Sequence, residues 1–166
     1  MTTLSTAIDA DAPVRAAAPR RNSAVLDLAR TRLEATLGAY AGAVTPREAW
    51  TLFTAGEARL VDVRTEAELR YVGRVPNALH VEWHGKDPEQ VARFLDALRA
   101  VADPGEPVLF LCRSAVRSHH AASVARSAGF GHAFNILEGF EGQRDHGQQR
   151  GHLDGWRFHG LPWIQD

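Results

Sequence analysis

Four consecutive residues in the second half of the chain, Val108-Leu109-Phe110-Leu111, are apolar without a break. A strand with one face in water alternates apolar and polar side chains. An unbroken run bounded by Pro107 and Cys112 instead describes a strand buried on both faces, as in the centre of a parallel sheet. Parallel strands need long crossovers between them, usually helices. The flanking sequence supplies these. Thr45-Pro46-Arg47-Glu48 is a capping box with proline at the first helical position, opening a helix to about Ala55 that stops at Gly56. Residues 59–63 read as a short buried strand, and Thr65-Glu66-Ala67-Glu68 repeats the cap signature before a helix stopped by Gly73. After the Pro76-Asn77 turn, residues 78–82 read as a second strand. Asp87-Pro88-Glu89-Gln90 reads as a third capping box, opening a helix with Val91, Phe94, Leu95, Leu98 and Val101 on one face. Beyond the central run, residues 119–128 read as helix and 133–137 as strand. Alternation of this kind from residue 43 to about 140 predicts an α/β domain with a parallel sheet.

The ends of the chain are read differently. Residues 1–22 carry no aromatic residue and no apolar period, which predicts a flexible arm; the continuous apolar stretch of a signal peptide is missing, so the expected location is the cytoplasm. Residues 24–41, with Val25, Leu28, Leu33 and Leu37, predict an extra helix over 23–42 whose small apolar stripe must lie against the main domain or a partner; a homodimer through it is one expectation. The domain proper is expected over 43–166, its tail from 139 a glycine-rich loop followed by a short closing helix. The chain has 166 residues, 45% hydrophobic and 23% charged, enough for one domain with a core. Nineteen basic residues against twenty acidic ones leave a net charge of −1, which argues against a nucleic-acid or polybasic membrane-surface protein. No apolar run approaches the ~18 residues of a membrane-spanning helix.

The single cysteine excludes an intramolecular disulfide, a CxxC motif and a thiolate-rich zinc site. Cys112 follows the central strand and precedes a helix, the place where open α/β sheets bind ligands. Unpaired N–H groups of a helix's first turn converge there and the helix dipole adds positive charge, so both stabilise a thiolate over a thiol. Arg113 and Arg117 add two permanent cations. The segment Cys112-Arg113-Ser114-Ala115-Val116-Arg117-Ser118 thus reads as an anion cradle around a nucleophile, rather than the surroundings of an inert core thiol. It has neither the glycine nor the lysine of a phosphate-binding loop.

This segment resembles the active-site loop of rhodanese-domain sulfurtransferases, Cys-Arg-x-Gly-x-Arg or a near variant, with Ala115 at the glycine position. Leu60-Val61-Asp62-Val63-Arg64 with Glu66 and Glu68, Gly73-Arg74-Val75-Pro76-Asn77-Ala78, Leu137-Glu138-Gly139-Phe140 and Gly160-Leu161-Pro162-Trp163 are similar to further motifs of that family, in the same order, over roughly residues 43–163. Arg74 and Asn77 depart from its Gly-His-Ile-Pro-Gly-Ala turn. The resemblance implies a rhodanese-like fold, a central parallel sheet of about five strands with helices on both faces. It also implies sulfur transfer through a persulfide on Cys112. A small donor such as thiosulfate would supply the sulfur, and cyanide or a thiol would accept it. Arg113 and Arg117 would bind the donor, and the N–H groups of Ser114, Ala115, Val116, Arg117 and Ser118 would form the cradle. No cofactor is expected. If the backbone at Ala115 takes a positive φ, the cost is about 1 kcal/mol.

Two other readings belong to different classes. Cysteine phosphatases and arsenate reductases on this fold place arginine six residues after the cysteine, where this chain has Ser118 and where Arg117 arrives one residue early. Rhodanese-like domains also serve as non-enzymatic binding or regulatory modules, for which the helix near the N-terminus and the glycine-rich segment 141–155 would be surfaces. Asp62 and Arg64 are expected to support the active loop or to pair with Glu68. Ser118 is placed to cap the following helix and to reach the Cys112 sulfur. His119 and His120 are adjacent on a helix and so point about 100° apart. With no third ligand beside His80 and His84, no metal is expected. Trp50, Trp83, Trp156 and Trp163 read as core or lid residues, with Trp156 a candidate for the rim of the pocket.

Overall fold

The alternating pattern folds into a five-stranded parallel sheet, seen in a computed structural model that describes residues 23–34 and 39–166. The predicted arm, 1–22, and Leu37 lie outside the described residues. In chain order the elements are α1 (Ser23–Glu34), β1 (Gly42–Val44), α2 (Pro46–Thr54), β2 (Arg59–Asp62), α3 (Glu66–Val72), β3 (Leu79–His80), α4 (Pro88–Val101), β4 (Val108–Leu111), α5 (Val116–Ser127) and β5 (Ala133–Ile136). The sheet order is β1-β5-β4-β2-β3, so the unbroken apolar strand β4 is the middle one. All four pairings are parallel, with Val61 opposite Phe110 and Phe110 opposite Asn135.

Side chains of β4 point alternately to two separate cores. Val108 and Phe110 join Phe94 and Leu98 of α4 and Ala121, Ala122 and Ala125 of α5. Leu109 and Leu111 face the other way, into Leu26 and Ala29 of α1, Ala49 and Leu52 of α2, and Trp156. Both faces are therefore covered, which is why a polar residue at any β4 position would be buried. Gly42 lets α1 lie directly on the sheet edge, since a Cβ there would sit 2.4 Å from the Ala29 carbonyl oxygen. Helix α1 is also gripped by a fork from Arg32 to Glu48, at 2.6 and 2.8 Å. Leu26 and Ala29 of α1 are buried against the domain, whereas Leu28 is 51% exposed.

Local signals set three helix starts where expected, at Pro46, Glu66 and Pro88. Thr45 and Thr65 form complete capping boxes with Glu48 and Glu68. Asp87 caps α4 by accepting from the N–H groups of Glu89 and Gln90, without the reciprocal side-chain bond that would make a box. Several boundaries differ from the expected ones. Gly42–Val44, where the sequence reading passed from the extra helix to the start of the domain without a strand, is an edge strand, held by pairing with β5 rather than by any period of its own. Strand β3 shrinks to two residues. Helix α5 begins at Val116, three residues early, because the loop after Cys112 is tighter than its sequence suggests. The tail closes with turns and a bridge between Arg74 and Ile164 in place of a helix. Trp156 is fully buried, packed edge-on against Trp50, and takes no part in a rim.

Candidate active site

Cys112 is the first residue after β4, and only Arg113, Ser114 and Ala115 separate it from α5. So tight a link demands an unusual backbone. Ala115, at the position preceding the helix, takes φ 67° and ψ −2°, the left-handed conformation that a side chain disfavours. The turn aims the first-turn N–H groups of α5 back toward the strand end. Among the described residues, the N–H groups of Ser114, Ala115, Val116, Arg117 and Ser118 donate to no protein acceptor. Ser118 is the third residue of α5 rather than its cap, and its buried hydroxyl donates to Cys112 Sγ at 3.2 Å. The cysteine itself is 1% exposed and belongs to the core cluster with Phe110 and Ala121.

The two arginines of the loop have different fates. Arg113 is exposed, with no ion-pair partner among the described residues. Arg117 makes a two-pronged bridge to Glu68 of α3, Nη1 to Oε2 at 2.8 Å and Nη2 to Oε1 at 2.5 Å. Burial alone would raise the Glu68 pKa, but the Arg117 hydrogen bond, the Thr65 N–H and the Arg117 charge outweigh it and bring it to about 2. The Glu68 hydrogen bond raises the Arg117 pKa against burial, with smaller help from the charges of Glu68, Cys112 and Asp62. Arg117 therefore stands within electrostatic reach of the cysteine, with most of its charge already answered.

Asp62 and Arg64 do not pair with Glu68, as one sequence reading had it; they pair with each other. Both are buried, with Arg64 Nη2 2.6 Å from Asp62 Oδ2 and 2.9 Å from the Gly73 carbonyl oxygen. The reason is register: Asp62 ends β2, and the Arg64 side chain folds back over it while stacking on Phe140, 4.0 Å from guanidinium carbon to ring centroid. Of the three Arg64 guanidinium nitrogens, Nη1 alone has no hydrogen-bond partner among the described residues. The pair thus ties β2 to the turn at Gly73 and to the segment after β5.

That segment contributes residues the motif reading did not assign to the site. The Phe140 N–H donates to the Cys112 carbonyl at 2.7 Å, and the Glu141 and Gly142 N–H groups donate to the Arg113 carbonyl at 3.0 and 3.2 Å. Gly139, at φ 75°, lies so close that a Cβ would fall 2.5 Å from Arg113 C and Ser114 N. Asn135, on β5, is buried with Nδ2 3.5 Å from the Ala115 carbonyl. Nothing local marks Asn135 in the sequence, because its role comes from the neighbouring strand.

Comparison with known proteins agrees with this geometry. A crystal structure of Rv0390 from M. tuberculosis matches with a TM-score of 0.66 and 44% identity, covering 76% of this chain and 99% of that one. The RP600 homolog of Rickettsia rickettsii is 33% identical over 121 residues, covering 68% of this chain and 87% of its own length. A thiosulfate sulfurtransferase, GlpE, of Glaesserella parasuis is 30% identical over 99 residues, covering 60% of this chain and 82% of the relative. The polysulfide-sulfur transferase homodimer of Wolinella succinogenes shares the fold, with a TM-score of 0.53 and 22% identity over 87% of this chain and 88% of that one. The model of the rhodanese-like domain matches residues 45–146, and with the loop, the sheet order and these relatives the chain belongs to the rhodanese-like domain family.

Proposed function

We propose that this protein is a sulfurtransferase that carries sulfur as a persulfide on Cys112. The observation that carries the reading is the set of five N–H groups, from Ser114 to Ser118, left without protein acceptors around a lone cysteine at the end of the central strand. Such a ring suits a terminal persulfide anion as an oxyanion hole suits oxygen. The Ser118 hydroxyl donates to Sγ from within the same turn. The similarity to a thiosulfate sulfurtransferase supports the same assignment.

Cys112 thiolate attacks the outer sulfur of thiosulfate; the sulfur–sulfur bond of the donor breaks and sulfite leaves with the electron pair. The terminal sulfur of the persulfide is then attacked by cyanide or a thiolate, and the Cys112 thiolate is the leaving group. The chain has no second cysteine, so the acceptor comes from another molecule. Burial of Cys112 adds a restriction, because the entering sulfur must be terminal and slim enough to pass between the loop amides. The burial is also what a binding module with a vestigial cysteine would show. Intact-mass measurement after incubation with thiosulfate separates the two. The enzyme gains one sulfur atom and loses it to cyanide as thiocyanate, and Cys112→Ser gains none. A wild-type protein that stays at its own mass with thiosulfate and polysulfide alike overturns the assignment.

A further inference from the structure

Strand β5 places a carboxamide among hydrocarbon on the sheet face that carries Cys112. Asn135 lies beside Phe110 of β4 and Ala43 of β1, and residues paired in register across parallel strands share a face. Both neighbours belong to the core cluster that also holds Cys112 and Ala121. The Asn135 side chain is 3% exposed, and its polar atoms are poorly served. Nδ2 donates to the Ala115 carbonyl at 3.5 Å, the long end for such a bond, and Oδ1 has no hydrogen-bond partner among the described residues. An unsatisfied buried acceptor loses more than one long hydrogen bond returns, so an apolar side chain of the same shape would serve stability better. The carboxamide therefore has a reason other than stability. The Ala115 carbonyl supplies it. That oxygen accepts from two donors, Asn135 Nδ2 and the His119 N–H at 3.2 Å. The peptide joining Ala115 to Val116 is trans, so the Val116 N–H points away from the carbonyl. Holding the oxygen toward β5 thus aims the hydrogen the other way, among the free N–H groups from Ser114 to Ser118. Ala115 sits at φ 67°, where its side chain opposes the turn, so this peptide is the one that most needs an anchor. The His119 bond ties it to its own helix; Asn135 ties it to the sheet.

We infer that Asn135 is a positioning residue: through the Ala115 carbonyl it orients the Ala115–Val116 peptide, and with it an N–H group that stabilises negative charge on the Cys112 sulfur. It acts through the peptide and not on the reacting atom. Under the sulfur-transfer reading, on which this consequence rests, the same N–H group steadies the persulfide anion.

The test separates aim from stability. Asn135→Leu keeps the shape of the side chain and removes the donor. Its urea unfolding midpoint is expected to equal or exceed that of wild type. Cys112 is the only thiol, so ultraviolet thiolate absorbance, taken against Cys112→Ser at each pH, follows that sulfur alone. In Asn135→Leu this titration is expected to move up by about one pH unit. Persulfide formation from thiosulfate is expected to fall roughly tenfold, less than the loss of a whole oxyanion-hole donor costs. Ala115→Gly removes the side-chain opposition to the turn, so Asn135→Leu loses less in that background than in wild type. A lower unfolding midpoint or an unfolded variant overturns the assignment, because it makes Asn135 a stability residue. An unmoved titration, equal losses in the two backgrounds, or a wild type with no Cys112-dependent titration overturns it as well. If wild type takes up no sulfur while Asn135→Leu still shifts the titration, the transfer reading fails and the positioning role stands.

Discussion

Replacing Glu68 by Gln tests whether one ion pair holds the active loop on its sheet. Glutamine keeps the reach needed to bond the Thr65 N–H, so the capping box survives and the charge is what is lost. The Glu68 pKa falls from 4.5 to about 2 in the folded protein. At about 1.4 kcal/mol per unit, that shift would correspond to roughly 3 kcal/mol for a fully shielded pair. The Glu68 and Arg117 side chains retain 20% and 29% of their exposure, so solvent screening reduces the expected effect to about 1–2 kcal/mol. The sign follows from the depressed pKa. Above pH 4.5 the carboxylate is ionised in folded and unfolded chains alike, and the stabilisation is complete. As pH falls from there toward 2, the unfolded chain takes up a proton that the folded one resists, and the advantage drains away. Urea unfolding of wild type and Glu68→Gln at several pH values between 7 and 3 measures this. The expected gap is widest at pH 7 and narrows steadily below about pH 4.5. A gap that does not change with pH, or no gap at neutral pH, refutes the reasoning. Glu48→Gln serves as the control, because its carboxylate grips Arg32 on the opposite face in the same capping-box arrangement. It should lose stability without altering the reactivity of Cys112.

Three other substitutions probe the loop and its support. Ala115→Val puts a β-branched residue at φ 67° and should destabilise by about 1–2 kcal/mol in chemical denaturation, whereas Ala115→Gly should be neutral or mildly stabilising. Gly139→Ala must displace the Arg113–Ser114 peptide, since the nearest contact would be 2.5 Å; a thermal shift should show a loss of at least about 2 kcal/mol, and persulfide formation should slow. Asp62→Ala strands the Arg64 guanidinium in the core and should cost about 3–5 kcal/mol in urea unfolding.

Most of the site's chemistry was legible as residue types. Cys112 between an apolar strand and a helix, and the hydroxyl of Ser118 within reach of the sulfur, are both as read. Glycine rules proved more flexible than the motifs suggest. Asn77 and Ala115 stand at the glycine positions of the motifs they resemble, and both keep positive φ, at 61° and 67°. The backbone of the turn and the loop thus follows its hydrogen bonds and packing even at a side-chain cost. Ion-pair partners were less legible. Sequence proximity placed Arg64 near Glu68, but Arg64 folds back onto Asp62, and Glu68 takes Arg117 from 49 residues away.

What the sequence determined by itself is what short-range physics controls. Two threonine-glutamate boxes start helices, Gly73 stops one, and an uninterrupted apolar run becomes a strand with cores on both sides. Those signals operate within a few residues, so no other part of the chain is needed to read them. Tertiary structure decided the rest. Gly42–Val44 becomes a strand only because β5 lies beside it, and Arg117 is neutralised only because the fold brings Glu68 of α3 within reach of α5's first turn. Each of these depends on a partner far along the chain, and long-range pairing leaves no periodicity in the segment that receives it.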